Sequence, residues 1–271
     1  MSAPATQTRP ANRPLGVPGT YNFRDVGGYP VAGGGATRPG VLFRSDSLDG
    51  LTPAGRRALH ELGVRSVIDL RSAEEVAAAP DPLSGLGLEI RRLPLFGAAD
   101  PTRGAVGPDR LEDIYWHMLE QAGTRIAEAV GQIALGPAPA LVHCTAGKDR
   151  TGVVVGLALD AIGVERASIV TDYAASEANL AGDWLAAAVA RSGSARTQLG
   201  GLTPAWLTSP AWLMTALLER VDQSHGGAAA YLRAHGLAPV ELAALAERLT
   251  GVPTVAPTHS PVPLPLAAGS L

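Results

Sequence analysis

A cysteine and an arginine six positions apart, with a glycine between them, stand in the run His143-Cys144-Thr145-Ala146-Gly147-Lys148-Asp149-Arg150-Thr151-Gly152. Cys144 is the only cysteine of the chain and Lys148 its only lysine, so apart from the histidines every other basic side chain is an arginine. Cys-x5-Arg is the spacing of a phosphate-binding loop. The thiolate, not the thiol, is the nucleophile of such chemistry. The arginine offers a planar fork that grips two oxygens of one phosphate, and those contacts tighten as charge spreads over the equatorial oxygens of the transition state. Thr151 is placed to hydrogen-bond the sulfur and help it leave, and His143 to orient the loop through its ring nitrogens. The plain alternative is an ordinary buried cysteine. The preceding His, the internal Gly and the Thr-Gly that follows argue against it.

The flanking residues supply what such a loop needs. Pro139-Ala140-Leu141-Val142 follows a Gly/Pro break and reads as a buried strand. The apolar run from Val153 to Ile162 stops at Gly163 and reads as a buried helix. A strand-to-helix loop points several backbone N–H groups at one spot, and the helix dipole adds partial positive charge there. The amides and side chains of Thr145, Ala146, Gly147, Lys148, Arg150 and Thr151 are the expected phosphate ligands.

These residues resemble the protein tyrosine phosphatase superfamily, and Ala-Gly-Lys-Asp-Arg-Thr-Gly resembles its atypical bacterial branch. Tyr21-Asn22-Phe23-Arg24-Asp25-Val26-Gly27-Gly28, Leu42-Phe43-Arg44-Ser45-Asp46 and Val67-Ile68-Asp69-Leu70-Arg71-Ser72 match that branch, as do Tyr231-Leu232-Arg233 and Gly236-Leu237. The likeness covers roughly residues 17–250. It implies an α/β fold with a central twisted, mostly parallel sheet flanked by helices, and a helical C-terminal lid or tail over about 177–250. It also implies a cysteine-dependent phosphatase that works through a thiophosphoryl enzyme, on phosphotyrosine or with dual specificity on protein.

In that branch the general acid lies inside the loop, which implies Asp149; the residue could instead only cap the helix. Asp69 ends an apolar strand, where open α/β sheets place their sites. It is expected to orient Arg150 or Lys148, to serve as an alternative acid, or simply to pair with Arg71. Asp100, Asp109 and Asp113 occupy the segment where classical members carry a mobile acid and rank below Asp149. Lys148 adds charge suited to substrates with more than one phosphate, or pairs with Asp69. Thr145 stands where the best-known inositol lipid phosphatases have a second lysine, which counts against phosphoinositides. A small phosphorylated metabolite remains an open alternative, as does a non-catalytic phosphate-binding module. Sulfur transfer or arsenate reduction is a third class, disfavoured by the His-Cys start and Arg-Thr-Gly end.

The rest of the chain bounds the reading. A 271-residue chain with 46% apolar residues can hold one large domain or two small ones, and aromatics at 4% leave the core to Ala, Val, Leu and Ile. A net charge of −3 gives no reason to expect nucleic acid or an acidic membrane surface as partner. One cysteine excludes an internal disulfide and a cysteine-rich metal site; no metal or other cofactor is expected, because the loop supplies the charge. Residues 1–16 carry no apolar run of a secretion signal and are expected to be a disordered arm. No stretch is long and apolar enough to span a membrane, so a cytoplasmic protein is expected, with export lacking a signal left open. Residues 251–271 are Pro-rich and expected to be a flexible tail.

Between these ends, Thr52-Pro53 opens a helix to about Leu62, Val64 to Leu70 is a strand, and Ser72 with Glu75 forms a capping box. Residues 88–95 read as another strand, and Leu111–Leu119 and Ile126–Leu135 as helices. The 97–109 stretch reads as a loop near the site, and Asn22 to Asp25 as a structural corner. Trp206, Trp212 and Met214 are expected to pack a tail helix onto the sheet, or else to belong to a lid.

Overall fold

The computed structural model describes residues 15–96, 111–184, 186–187 and 208–252. The expected arm and tail therefore lie almost entirely outside the described residues, as do Asp100, Asp109, Trp206 and the 97–109 loop. Five strands form one sheet in the order β1-β2-β5-β3-β4. They are β1 (Arg24–Asp25), β2 (Leu42–Ser45), β3 (Ser66–Asp69), β4 (Glu89–Arg92) and β5 (Ala140–His143). Only β1 runs antiparallel; β2, β5, β3 and β4 are parallel. The expected mostly parallel α/β sheet is what the chain builds.

The side-chain alternation of the central strands splits the core. Leu42, Ile68 and Val142 enter a large cluster on one face, while Phe43, Val67 and Leu141 enter a smaller one on the other. Both faces are covered, as parallel sheets require. The smaller cluster is closed by α1 (Pro53–Glu61), which Thr52 caps by accepting from the Gly55 N–H at 3.1 Å. A short helix α2 (Ala73–Ala78) begins with the anticipated capping box of Ser72 and Glu75. The large cluster is built from α3 (Leu111–Gln121), α4 (Gly123–Leu135), α5 (Asp149–Ala161), α6 (Arg166–Leu180), α7 (Ala211–His225), α8 (Ala228–Ala234) and α9 (Pro239–Thr250). Every residue of α5 from Arg150 to Leu159 is buried, as expected of a helix that is apolar all round.

Two expectations about the helices change. Met214 is buried on α7 against α5, near Gly156, but Trp212 is 53% exposed and packs nothing onto the sheet. The helix after the loop starts at Asp149, four residues before the apolar run, so Asp149 and Arg150 form its first turn.

Candidate active site

Register fixes where the site must be. Ser45 pairs with His143, and Asp69 with both His143 and Arg92, so the carboxyl ends of four parallel strands line up at one edge of the sheet. The loop from Cys144 to Lys148 leaves β5 at that edge and enters α5. It passes so close to the end of β2 that a Cβ on Gly147 would stand 2.1 Å from the Ser45 carbonyl oxygen. Gly147 also takes φ +66°, so both space and backbone demand glycine. The Ser47 N–H donates to the Thr145 carbonyl at 2.9 Å and pins the other flank.

Cys144, 2% exposed, sits at the base of the loop against the large core cluster. Arg150, 6% exposed, is turned back over the loop, not toward solvent. Its Nη1 and Nη2 donate to Glu75 Oε2 and Oε1 at 2.7 and 2.8 Å, and Nη2 lies 3.3 Å from the Thr145 hydroxyl. That hydroxyl donates in turn to Glu75 Oε1. A guanidinium has two bidentate edges, and Glu75 takes one. Burial works against the Glu75 carboxylate, but Arg150, Thr145 and the Ser72 N–H outweigh it and bring the carboxyl down to about 2. Glu75 thus caps α2 and fixes Arg150 at once. The capping box gave away only the first role.

The Glu75 contact leads to a direct expectation. Glu75→Gln keeps the shape and removes the charge, so a charge-assisted pair worth ~1.5–3 kcal/mol weakens. The kcat/KM should fall roughly tenfold or more. In the unsubstituted chain the Glu75 carboxyl stays ionised above about pH 4, so no limb of a pH–rate profile above that value should disappear in the variant.

Asp149 is half-buried in the first turn of α5. Its Oδ1 accepts from the Tyr115 hydroxyl at 2.7 Å, and Tyr115 shares a 2.7 Å hydrogen bond with Tyr173. Burial, with Asp149 and Tyr173 adding to it, pushes the Tyr115 phenol well above its ordinary value, so it stays neutral. A neutral hydroxyl pair can donate to a carboxylate or accept from a carboxylic acid, so it can hold Asp149 in either state. Neither tyrosine was singled out by the sequence. Asp113 lies in the first turn of α3.

Lys148, 1% exposed, does not pair with Asp69. Its ammonium donates to the Thr208 carbonyl at 2.8 Å and lies 3.4 Å from Asp149 Oδ1. Ser209 anchors that carbonyl's segment to α6 through Ala174 and Glu177. Asp69 orients neither Arg150 nor Lys148. Its oxygens accept from Arg71 Nε and Nη2, each at 2.9 Å, which is the strand-end ion pair. His143 lies between it and the loop, with Nε2 making no hydrogen bond. Nδ1 lies 3.2 Å from the Cys144 carbonyl oxygen, and Nε2 lies 3.8 Å from Asp69 and 3.5 Å from Asp81. Thr151 is fully buried, but its hydroxyl makes no hydrogen bond, so the expected bond to the sulfur is not formed here.

Among the described residues, Asp69, Asp81 and His143 alone bring potential metal ligands within 4.8 Å of one another. Arg71 Nη2 sits between the two carboxylates, 2.9 Å from Asp69 and 2.5 Å from Asp81. A resident guanidinium already occupies the space between both carboxylates and pairs with each, so these residues do not suit a metal ion.

A model of the tyrosine phosphatase family matches residues 15–251. The chain belongs to the tyrosine phosphatase family. It is thereby a cysteine-dependent phosphatase, a hydrolase of phosphoric monoesters. The triple specificity protein phosphatase PtpB of Mycobacterium tuberculosis is 31% identical over 279 residues, covering 87% of this chain and 97% of that protein. A tyrosine-protein phosphatase of Nostoc commune is 36% identical over 221 residues, covering 77% of this chain and 74% of that one. The crystal structure of P. aeruginosa TpbA superposes with a TM-score of 0.35 at 16% identity, covering 66% of this chain and 86% of that one. Among the described residues of this tyrosine phosphatase, no helix is long and apolar enough to cross a membrane.

Proposed function

We propose that this tyrosine phosphatase acts on phosphorylated protein in the cytoplasm, phosphotyrosine above all and with dual specificity, through Cys144, Asp149 and Arg150. The observation that carries the reading is the position of Arg150. Its guanidinium lies against the residue that follows Cys144 and is locked there by Glu75. Nucleophile and phosphate grip therefore belong to one small loop. The names of the relatives favour a protein substrate over a small metabolite or a phosphoinositide. The catalytic unit is the span 17–250.

In the first step the Cys144 thiolate attacks phosphorus in line. The P–S bond forms, the P–O bond to the leaving group breaks, and Asp149 gives its proton to the departing oxygen. In the second step water attacks phosphorus and passes a proton back to Asp149. The P–S bond breaks and the thiolate is restored. Arg150 and the loop from Thr145 through Thr151 hold the phosphoryl oxygens throughout, with Lys148 adding charge beside Asp149. The loop stands in for the metal used by other phosphoryl-transfer enzymes.

Two measurements test this. With EDTA present, a panel of phosphotyrosine peptides, phosphoserine peptides, phosphoinositides and metabolite phosphates should show phosphotyrosine peptides turned over with the highest kcat/KM. A metabolite ester preferred by orders of magnitude would replace the substrate assignment. Asp149→Asn should slow esters of poor leaving groups by ~10²–10⁴-fold while sparing nitrophenyl phosphate, whose phenoxide leaves without a proton. Equal loss on both would make Asp149 a structural residue.

A further inference from the structure

We infer that Asn22, Arg24, Arg44 and Asp172 are positioning residues that aim the backbone amides of the phosphate loop, an assignment that rests on the loop being the phosphate site proposed above.

The contacts are specific and buried. Asn22 Nδ2 donates to the Ala146 carbonyl at 2.9 Å and to the Gly147 carbonyl at 3.2 Å. Arg44 Nη2 donates to the Gly147 carbonyl at 2.6 Å and the Lys148 carbonyl at 3.4 Å. Three successive loop carbonyls are thus drawn to one side. The only cis peptide among the described residues is Ala138–Pro139, so the loop peptides are trans. In a trans peptide each carbonyl points opposite to the N–H of the next residue. Holding the carbonyls of Ala146, Gly147 and Lys148 back therefore turns the N–H groups of Gly147, Lys148 and Asp149 the other way. Those are the amides that a strand-to-helix anion cradle needs.

The donors are themselves held from behind. Arg44 Nη1 pairs with Asp172 Oδ2 at 2.5 Å, and Arg24 Nε pairs with Asp172 Oδ1 at 2.8 Å. Arg24 Nη1 donates to both oxygens of Asn22, and Asn179 Nδ2 reaches the Asn22 side-chain oxygen at 3.1 Å. These contacts leave Asn22 one orientation, with its amide nitrogen on the loop. Tyr29 donates to Asp172, and Asp46 accepts the Asn22 N–H. Burial works against the Asp172 carboxylate, but the two guanidiniums and the Tyr29 hydroxyl bring it down to about 2. Arg44 Nε is left buried with no hydrogen-bond partner. An orphaned buried donor is a cost, and costs of this kind concentrate where function sets the geometry. Here it keeps both Nη atoms engaged, one on Asp172 and one on the loop.

The test uses the full chain. Asn22→Asp is nearly isosteric but faces the loop carbonyls with an oxygen. Arg44→Lys keeps the charge and loses the two-armed reach. Inhibition by orthophosphate should weaken ~10²-fold in each, the scale of losing one aimed donor from an oxyanion site. The pH midpoint for alkylation of Cys144 by iodoacetate should rise, because fewer amides face the thiolate. The same loss of orthophosphate binding should appear when both are built into Cys144→Ser, which reads the cradle without the nucleophile. Asn22→Asp that melts like the parent, and keeps the parental orthophosphate affinity and alkylation midpoint, would overturn the inference. If Arg44→Lys does not fold, Asn22→Asp decides alone, and Asn22→Ala repeats it without a new charge. Turnover surviving in Cys144→Ser would instead sink the nucleophile assignment and leave the scaffold to be judged on anion affinity.

Discussion

Cys144→Ser should lose turnover by ~10⁴-fold or more on every substrate, because a serine hydroxyl at that position stays protonated where a thiol can ionise. The change removes little volume from a side chain that is buried against the core, so the fold should persist. Orthophosphate should still bind, since Arg150, Glu75 and the loop backbone are untouched. The paired measurement separates chemistry from binding: kcat with nitrophenyl phosphate on one side, orthophosphate affinity on the other. Residual turnover near the parental rate would assign the chemistry to another group. Loss of both would mean that the thiol packs the loop and does more than react.

Asp172→Ala should be the most damaging single change to stability. Asp172 is the carboxylate shared by Arg24 and Arg44, all three essentially without exposure. Removing one partner of a buried ion pair strands charge in the interior, at ~3–5 kcal/mol. For a protein of this size that is on the order of 10 °C in the melting temperature. The pH dependence follows from the sign of the shift. The Asp172 carboxyl titrates at about 2 in the folded chain, below its value of ~3.9 when unfolded. Its stabilisation is complete above about pH 4 and is lost as the pH falls toward 2. Glu75 acts in the same direction, so Asp172→Asn should shrink the acid limb of the stability curve without abolishing it. Thermal melts between pH 2 and 7 check this, and an acid limb of unchanged depth would contradict it.

The contrast between these residues explains what could be read in advance. The strand before Cys144 and the helix after Arg150 are local patterns, an apolar run with a Pro break on one side and a glycine stop on the other. The capping box of Ser72 and Glu75 is likewise local. The side chains that hold the loop are not. Arg44 lies 103 residues from Gly147 and Arg24 lies 148 from Asp172, and no periodicity encodes such a pairing. Asn22 and Arg24 therefore read as a corner, although Asn22 touches the loop and Arg24 holds Asn22 from behind. Glu75 was visible as a cap but not as the partner of Arg150, because the second role depends on how α2 docks. For Asp69 the plainest of its expected roles, the pair with Arg71, is the one the structure forms. Its place at a strand end was right, and the nearest cation, Arg71, claims both oxygens. Trp212 looked like a core anchor by type alone and is largely exposed. The start of α5 was set four residues late because its first turn is polar, being held by the loop, not by an apolar stripe.

The solitary lysine has a practical use. A protease that cuts only after lysine has one target in the whole chain, the peptide bond after Lys148, and would give fragments of 148 and 123 residues (271 − 148 = 123). That side chain is 1% exposed and tied to the Thr208 carbonyl, so the native fold conceals the scissile bond. Digestion speed thus reports how often this corner of the molecule opens, with no label attached. A bound oxyanion that steadies the loop should slow the cut, turning a gel band into a measure of occupancy.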